Sequence, residues 1–335
     1  MSKDIGVDLG TSNIRLFIKG RGIVLDEPCV VAINKITNEV LSVGSQAKEM
    51  IGRTPENIVA IKPLRDGVIA DFESTRLLLD SFISRVVNKS LFYKPRLVIS
   101  IPFGITDVEE RAVEGVGYKI GAKEVYLVEE AMAASIGAKI IIEKPEGSMV
   151  VDIGGGTTDM AVLSMGGIVV SNSIKLAGEN FDKEIVEFVK NKYNVVISES
   201  DAEEVKKQIG TVKTIMNDEK LTLKGRNISS GLPVNVVVTS SDISNAILPT
   251  INNIIKVIKS TLEETPPEIS ADIMDFGIIL SGGSSFLKNL DRYISDELNI
   301  PVHIADSASD NVIRGIGATL DNIKVLKKAV KTKRR

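Results

Sequence analysis

Two stretches of the chain read alike: Ile5-Gly6-Val7-Asp8-Leu9-Gly10-Thr11-Ser12-Asn13, followed by Ile14–Ile18, and Met149-Val150-Val151-Asp152-Ile153-Gly154-Gly155-Gly156-Thr157-Thr158, followed by Asp159–Ser164. In each, an apolar run leads to an Asp, one apolar residue, glycine, hydroxyl residues and a second apolar run. Glycine lets the backbone approach an anion closely. Successive N–H groups at such a turn form an anion-binding concavity, to which Thr and Ser hydroxyls add donors. Gly10–Asn13 and Gly154–Thr158 are therefore phosphate-cradle candidates. One copy alone also reads as an ordinary hairpin with a glycine turn. Two copies with Asp at the same offset point to a duplicated fold closing on one nucleotide from both sides.

Asp8 and Asp152 end their strands beside the turns. Two carboxylates near phosphate oxygens suit Mg²⁺, a hard cation that keeps several waters and needs only one or two protein ligands. Each Asp is also suited to capping its own turn through the backbone, and the two roles are compatible. No Gly-Lys dipeptide exists, so a G-x-x-x-x-G-K-[ST] loop is excluded. Gly154-Gly155-Gly156 lacks the spacing of a dinucleotide-binding fingerprint.

The 335 residues suffice for two domains around a cleft. A hydrophobic content of 43% and a charged content of 25% are ordinary for a globular protein. The net charge of −3 gives no global pointer to nucleic acid. The single cysteine, Cys29, excludes a disulfide framework, and the single histidine, His303, excludes a His-rich metal centre. No run approaches the roughly 18 apolar residues of a membrane span. The strand pattern starting near Asp4 leaves no room for a signal peptide. A cytoplasmic location is the expectation.

Short β-rich runs alternate with helical periodicity, which reads as α/β. Strands are expected at Ile5–Val7, Ile14–Ile18, Val30–Ile33, Val40–Val43, Leu97–Ile101 and Val125–Val128. A second series is expected at Met149–Ile153, Met160–Leu163, Ile168–Ile174, Val234–Val238, Ile278–Leu280 and Val302–Ile304. Leu78, Leu79, Phe82, Ile83 and Val86 share a helical face, as do Ile254, Ile255, Ile258 and Leu262. Gly20 and Gly22 punctuate the first half after its hairpin, and Gly166-Gly167 the second, so both halves begin as hairpin, glycine turn and third strand. Insertions of lesser apolar content span Asn34–Asp66 and Phe181–Thr239.

Three further segments bear on chemistry. Glu129-Glu130 precede the small-residue helix Ala131–Ala138, where a carboxylate is placed to orient water; acids favoured by the helix dipole at its N-terminus read equally well. Leu280-Ser281-Gly282-Gly283-Ser284-Ser285 is a third strand-to-helix turn, expected to open a helix Ser285–Leu298 and to meet a ribose or α-phosphate. Glu203, Glu204, Lys206 and Lys207 sit on a predicted helix, with Glu204 and Lys207 on one face; a solvated charged face is the plain reading.

Taken together, these residues resemble the superfamily of ATPases that includes actin, heat-shock chaperones and sugar kinases, and within it the MreB family of bacterial actins. The resemblance covers essentially the whole chain. Besides both loops it rests on Ile51–Phe72 (Ile-Gly-Arg-Thr-Pro-Glu-Asn-Ile-Val-Ala-Ile-Lys-Pro-Leu-Arg-Asp-Gly-Val-Ile-Ala-Asp-Phe), on Ile105–Ala112 and on Lys259–Met274. It implies an actin-like fold of duplicated ribonuclease-H-like domains around a nucleotide cleft, in four subdomains. Subdomain IA would take residues 1–32, 67–145 and 316–335, and IB residues 33–66. Subdomain IIA would take 146–178 and 241–315, and IIB 179–240.

By resemblance, the cofactors are ATP and Mg²⁺, and slow hydrolysis tunes the stability of head-to-tail protofilaments that pair antiparallel. Such filaments lie on the inner membrane face and determine cell shape by organising cell-wall synthesis with membrane morphogenesis proteins. Asp8 and Asp152 would organise Mg²⁺ and its waters. Gly10, Thr11, Ser12 and Asn13, with Gly154, Gly155, Gly156 and Thr157, would hold the phosphates. Glu130 and Thr157, with Asp152, would serve catalysis by positioning the attacking water. Glu203, Glu204, Lys206, Lys207, Gly282, Gly283, Ser284 and Ser285 would line the adenosine.

The chain departs from the family pattern at Ala131, where Pro is usual, and at Ser12 (Ala), Arg15 (apolar), Asp159 (Glu) and Ser284 (Gly). Ser307–Asp310 replaces a Pro-containing segment. Leu91-Phe92-Tyr93, between Lys89-Ser90 and Lys94-Pro95-Arg96, reads as an apolar tip with basic flanks suited to an anionic lipid surface, or as a loop capping its own core. The tail Lys324–Arg335, with seven basic residues and no acidic one, is the other membrane candidate or a solvated terminus. A small-molecule kinase on the same fold is the alternative; it would need a carboxylate base beside a substrate pocket and larger insertions. A chaperone would need a further domain.

Overall fold

The computed structural model describes residues 4–87, 94–140, 145–212 and 218–321. The first half opens with β1 (Asp4–Leu9), β2 (Asn13–Ile18) and β3 (Gly22–Pro28). There follow β4 (Val31–Asn34), β5 (Val40–Val43), α1 (Ser45–Glu49), β6 (Ile58–Ile61), β7 (Leu64–Arg65) and β8 (Val68–Ile69). It closes with α2 (Phe72–Val86), β9 (Arg96–Ile101), α3 (Asp107–Lys119), β10 (Glu124–Glu129) and α4 (Glu130–Gly137). The second half opens with β11 (Ser148–Ile153), β12 (Thr158–Ser164), β13 (Gly167–Ile174) and α5 (Gly178–Tyr193). Next come β14 (Val195–Val196), α6 (Glu199–Ile209), β15 (Lys220–Asn227), β16 (Pro233–Thr239) and α7 (Ser240–Glu263). It ends with α8 (Pro267–Phe276), β17 (Ile278–Ser281), α9 (Leu290–Leu298), β18 (Val302–Ile304) and α10 (Asn311–Asp321).

The two principal sheets repeat one topology, β10-β9-β1-β2-β3 and β13-β12-β11-β17-β18. Each is an antiparallel three-stranded unit extended by two parallel strands. Parallel neighbours require crossovers, which α3 supplies between β9 and β10 and α9 between β17 and β18. Central strands are covered on both faces, so β1 is buried throughout, whereas β2 buries only Ile14, Leu16 and Ile18 in strict alternation. Two small sheets, β5-β4-β6 and β14-β15-β16, lie largely within the two insertions.

The third strand of the first sheet is β3, where Asp26 and Glu27 interrupt the apolar pattern; Val30–Ile33 instead centres a small sheet as β4. β15 is likewise missing from the expected strands: Lys220, Lys224 and Arg226 keep to its exposed face, but Gly225 and Asn227 stand where apolar residues would continue the inward face beyond Leu221 and Leu223. The expected helix Ser285–Leu298 is interrupted: Gly283–Phe286 forms a 3₁₀ turn, and α9 starts only after Asn289, whose φ of 63° cannot continue a right-handed helix.

Each half has its own apolar core, around Phe82, Leu78 and Leu97 in the first and Phe181, Ile185 and Ile254 in the second. A third cluster joins them, in which α4 and α10 pack against Val98, Val150 and Leu163. Backbones touch where α4 and α10 cross. A Cβ on Gly137 would lie 1.9 Å from the Asn311 carbonyl oxygen, and one on Gly315 1.8 Å from that of Ala133. This contact fixes the start of α4, and hence Glu130, between the two sheets.

Candidate functional site

The β1–β2 and β11–β12 turns face one another across the middle of the molecule. A Cβ on Gly155 would stand 2.0 Å from Ser12 Oγ, and one on Gly156 2.4 Å from Thr11 Oγ1. Only glycine lets the loops approach this closely. Thr11 Oγ1 also accepts the Gly67 N–H at 2.9 Å. Between the turns lies a cavity of about 450 Å³. Its wall brings together Asp8, Gly10, Thr11, Ser12, Asn13, Glu130, Asp152, Gly154, Gly155, Gly156 and Thr157. Glu203, Lys206, Lys207, Gly282, Gly283 and Ser284 complete it from the second half.

Two of the expected residues lie elsewhere. Glu204 is exposed and accepts from Gln208 at 2.5 Å, because the cavity face of α6 carries 203, 206, 207 and 210 while 204 and 208 turn outward. Ser285 is buried, its hydroxyl donating to the Gly282 carbonyl at 2.6 Å, which closes the 3₁₀ turn instead of reaching the cavity. Ser284 donates to the Gly154 carbonyl at 2.8 Å and so ties the third turn to the second phosphate loop.

Three carboxylates line the floor, Asp8, Glu130 and Asp152, and a fourth, Asp159, lies buried behind them across the ladder from Asp152. Burial pushes Glu130 well above the ordinary carboxylate range, and the charges of Asp159, Asp8 and Asp152 push it further. Asp152 rises to about 7, chiefly by burial; Asp159 and Asp8 add to the rise while a hydrogen bond from Ser281 opposes it. Burial also raises Asp159, against the Phe103 N–H that donates to it at 3.0 Å. Asp8 is raised by burial and held back by Arg15.

The ladder registers explain the contrast. Asp8 pairs across its hairpin with Arg15, and Asp152 pairs with Asp159. Arg15 Nη1 donates to Asp8 Oδ2 at 3.3 Å, and Ser100 Oγ donates to Asp8 Oδ1 at 3.3 Å. Asp152 Oδ1 has no hydrogen-bond partner among the described residues. A buried carboxylate oxygen left without a donor, beside three further acids and an amide-rich turn, suits a hard cation that also takes phosphate and water oxygens. Among the described residues no group of three or more His, Cys, Asp or Glu side chains could hold a metal by itself. The residues present thus fit a Mg²⁺ ion bound jointly with a phosphate ligand.

The cavity wall is not polar throughout. Phe181, Phe286, Leu287 and Val312 contribute apolar surface there. Lys206 Nζ bonds Asp182 at 2.8 Å and the Gly178 carbonyl at 2.7 Å. Burial raises Asp182 to about 6, with Lys206 opposing. Burial raises Glu203 too, but hydrogen bonds from Lys207 and Lys48, each 2.6 Å long, outweigh it and bring the group to about 2. Lys48–Glu203 and Lys62–Glu179, also 2.6 Å, span the cleft from the first half to the second. Gly67, Phe181, Asp182 and Val312 carry no local motif and enter the wall from separate elements, so they were not among the expected residues. Asp182 alone left a trace, as an acid on the buried face of an amphipathic helix.

Leu91 and Phe92 lie outside the described residues, as does the tail Lys324–Arg335. No helix among the described residues is long and apolar enough to cross a membrane.

The family model for the MreB/Mbl protein matches residues 2–328. The cell shape-determining protein Mbl of Bacillus subtilis (strain 168) is 48% identical over 327 residues, covering 98% of each chain. The cell shape-determining protein MreB of Escherichia coli (strain K12) is 42% identical, covering 96% of this chain and 94% of that one. Among solved structures, MreB5 of Spiroplasma citri bound to AMPPNP superposes with a TM-score of 0.93 at 38% identity, over 98% of this chain and 99% of that one. The repeated sheets around the cleft are the duplicated actin-like fold.

Proposed function

The chain belongs to the MreB/Mbl family, and from that premise we propose that it is an ATP-dependent, actin-like cytoskeletal protein whose filaments determine cell shape. The observation that carries this reading is the pair of interlocked Asp-Gly-hydroxyl turns across one cavity, with Glu130 and Asp152 on its floor. Filaments would grow head to tail, pair antiparallel and lie on the inner face of the membrane, there organising cell-wall synthesis with membrane morphogenesis proteins. Leu91 and Phe92 are assigned to the lipid contact. The four subdomains take the boundaries given above.

In this reading the amides of Gly10–Asn13 and Gly154–Thr157 hold the phosphates, and Glu203, Lys206 and Lys207 wall the nucleoside. Asp152 would be the principal residue holding Mg²⁺ and Asp8, paired with Arg15, a lesser one; when bound, the ion neutralises phosphate charge. Glu130 at the first turn of α4, with Thr157, orients the attacking water. Burial and the neighbouring acids favour the protonated form of Glu130, and a carboxyl keeps acceptor capacity with which to align water by hydrogen bonding. Alignment without efficient proton removal suits slow hydrolysis that times filament disassembly.

Sedimentation and electron microscopy with and without Mg-ATP, with anionic vesicles in a parallel sample, test the proposal. Nucleotide-dependent filaments that pellet with vesicles are the expected result; monomers under every condition would refute it. Glu130→Ala should slow hydrolysis by about 100-fold while leaving ATP binding in place. Unchanged turnover would remove Glu130 from its role.

A further inference from the structure

We propose that Arg15 is a nucleotide-phosphate ligand, a cation that the first half supplies to the polyphosphate from the strand opposite Asp8. The inference rests on the nucleotide reading above and adds a residue that reading does not use. Arg15 lies in the cavity wall with its side chain 17% exposed. Among the described residues it is the only cation the first half contributes to that wall; Lys206, Lys207 and Lys288 all come from the second.

Its surroundings hold charge without using the donors. Nη1 bonds Asp8, and Nε stands 3.2 Å from Asp26 and 3.8 Å from Asp310. Nε nevertheless has no aligned acceptor among the described residues. A guanidinium has five N–H donors in a planar fork. Here it makes one hydrogen bond. Three carboxylates thus anchor its position while most of its donors remain unspent, in the cavity wall that Gly10–Asn13 also line. That is a preorganised oxyanion partner, and the fork suits phosphate bidentately. Lys206 and Lys207, by contrast, are each already held within 2.8 Å of a carboxylate oxygen.

Neutralisation of Asp8 alone is the competing role. It predicts that removing both charges together is harmless, whereas a phosphate ligand is missed whether or not Asp8 is charged. The test is equilibrium binding of ATP, ADP and adenosine in EDTA, to the parent, Arg15→Leu, Arg15→Lys and the double variant Arg15→Leu/Asp8→Asn. ATP and ADP should bind about 10-fold or more weakly to Arg15→Leu and to the double variant. Arg15→Lys should be intermediate, and adenosine should bind all four alike. Should Arg15→Leu fail to fold, the parent's Arg15 Nε NMR signal should shift on adding ADP in EDTA and not on adding adenosine. Parent-like ATP affinity in the double variant, an equal loss for adenosine, or an unmoved Arg15 signal would overturn the proposal. A parent that binds no nucleotide even with Mg²⁺ would instead overturn the nucleotide reading itself.

Discussion

Asp8 and Asp152 end equivalent strands of the two sheets, and each faces the residue seven positions on across its hairpin: Arg15 in the first half, Asp159 in the second. Opposite charges directly across an antiparallel ladder attract, and like charges repel. One hairpin therefore delivers to the cleft a carboxylate already neutralised. The other delivers one with a bare oxygen and a pKa near 7. Each cross-strand residue also reaches the opposite half, Arg15 toward Asp310 and Asp159 to the Phe103 N–H. A duplicated fold has thus kept the cradle and divided the electrostatic labour. The first loop carries its own ion pair with guanidinium donors to spare, and the second presents a carboxylate with one oxygen that has no partner among the described residues.

The largest predicted effect comes from making the first hairpin like the second. Arg15→Asp would strip Asp8 of its counter-charge and add a fifth acid to the buried cluster. Breaking a buried pair destabilises by about 3–5 kcal/mol. Urea unfolding of nucleotide-free protein at pH 8 should show that loss, with partial recovery at pH 5, where the acids take up protons.

The parent should show a milder form of the same imbalance. Asp152 binds its proton up to about pH 7 in the folded chain, against an ordinary value of 3.8. Between those values the folded state carries more protons than the unfolded one, so nucleotide-free stability falls as pH rises. One such group gives a slope of about 1.4 kcal/mol per pH unit. Glu203, lowered to about 2, is ionised in both states across pH 5–7 and does not offset it. Asp152→Asn should flatten the slope measured by urea unfolding; an unchanged slope would place the titration elsewhere.

Smaller still is the contrast between the leading glycines. A Cβ on Gly10 would meet the Asn13 carbonyl oxygen at 2.6 Å, whereas one on Gly154 would come no nearer than 3.3 Å to that of Thr157. Gly10→Ala should therefore destabilise by about 1–3 kcal/mol, and Gly154→Ala by less than about 1 kcal/mol. Thermal unfolding of the two variants would break the comparison if the losses came out equal.

Much of this was legible in the sequence because it is local. The Asp-x-Gly turns, their shared offset and the strands flanking them depend on residues within one hairpin. Glu130 was legible as a position, but its two readings separate only when α4 and α10 are seen to bury it between the sheets. Glu203 and Glu204 could not be told apart without the rotational phase of α6 relative to the cleft. Ser284 and Ser285 required knowing that Asn289 halts the helix. Arg15 stood out as unusual, and its register opposite Asp8 could be counted. Its further neighbours Asp26 and Asp310 come from another strand and from the other half, so no local pattern announces them.

The most direct test of the unequal hairpins is the ATP dissociation constant measured across Mg²⁺ concentrations in the parent, Asp8→Asn and Asp152→Asn. Loss of the Mg²⁺ enhancement in Asp152→Asn, with most of it retained in Asp8→Asn, is the predicted result. Equal loss in both, or a loss confined to Asp8→Asn, would contradict the account.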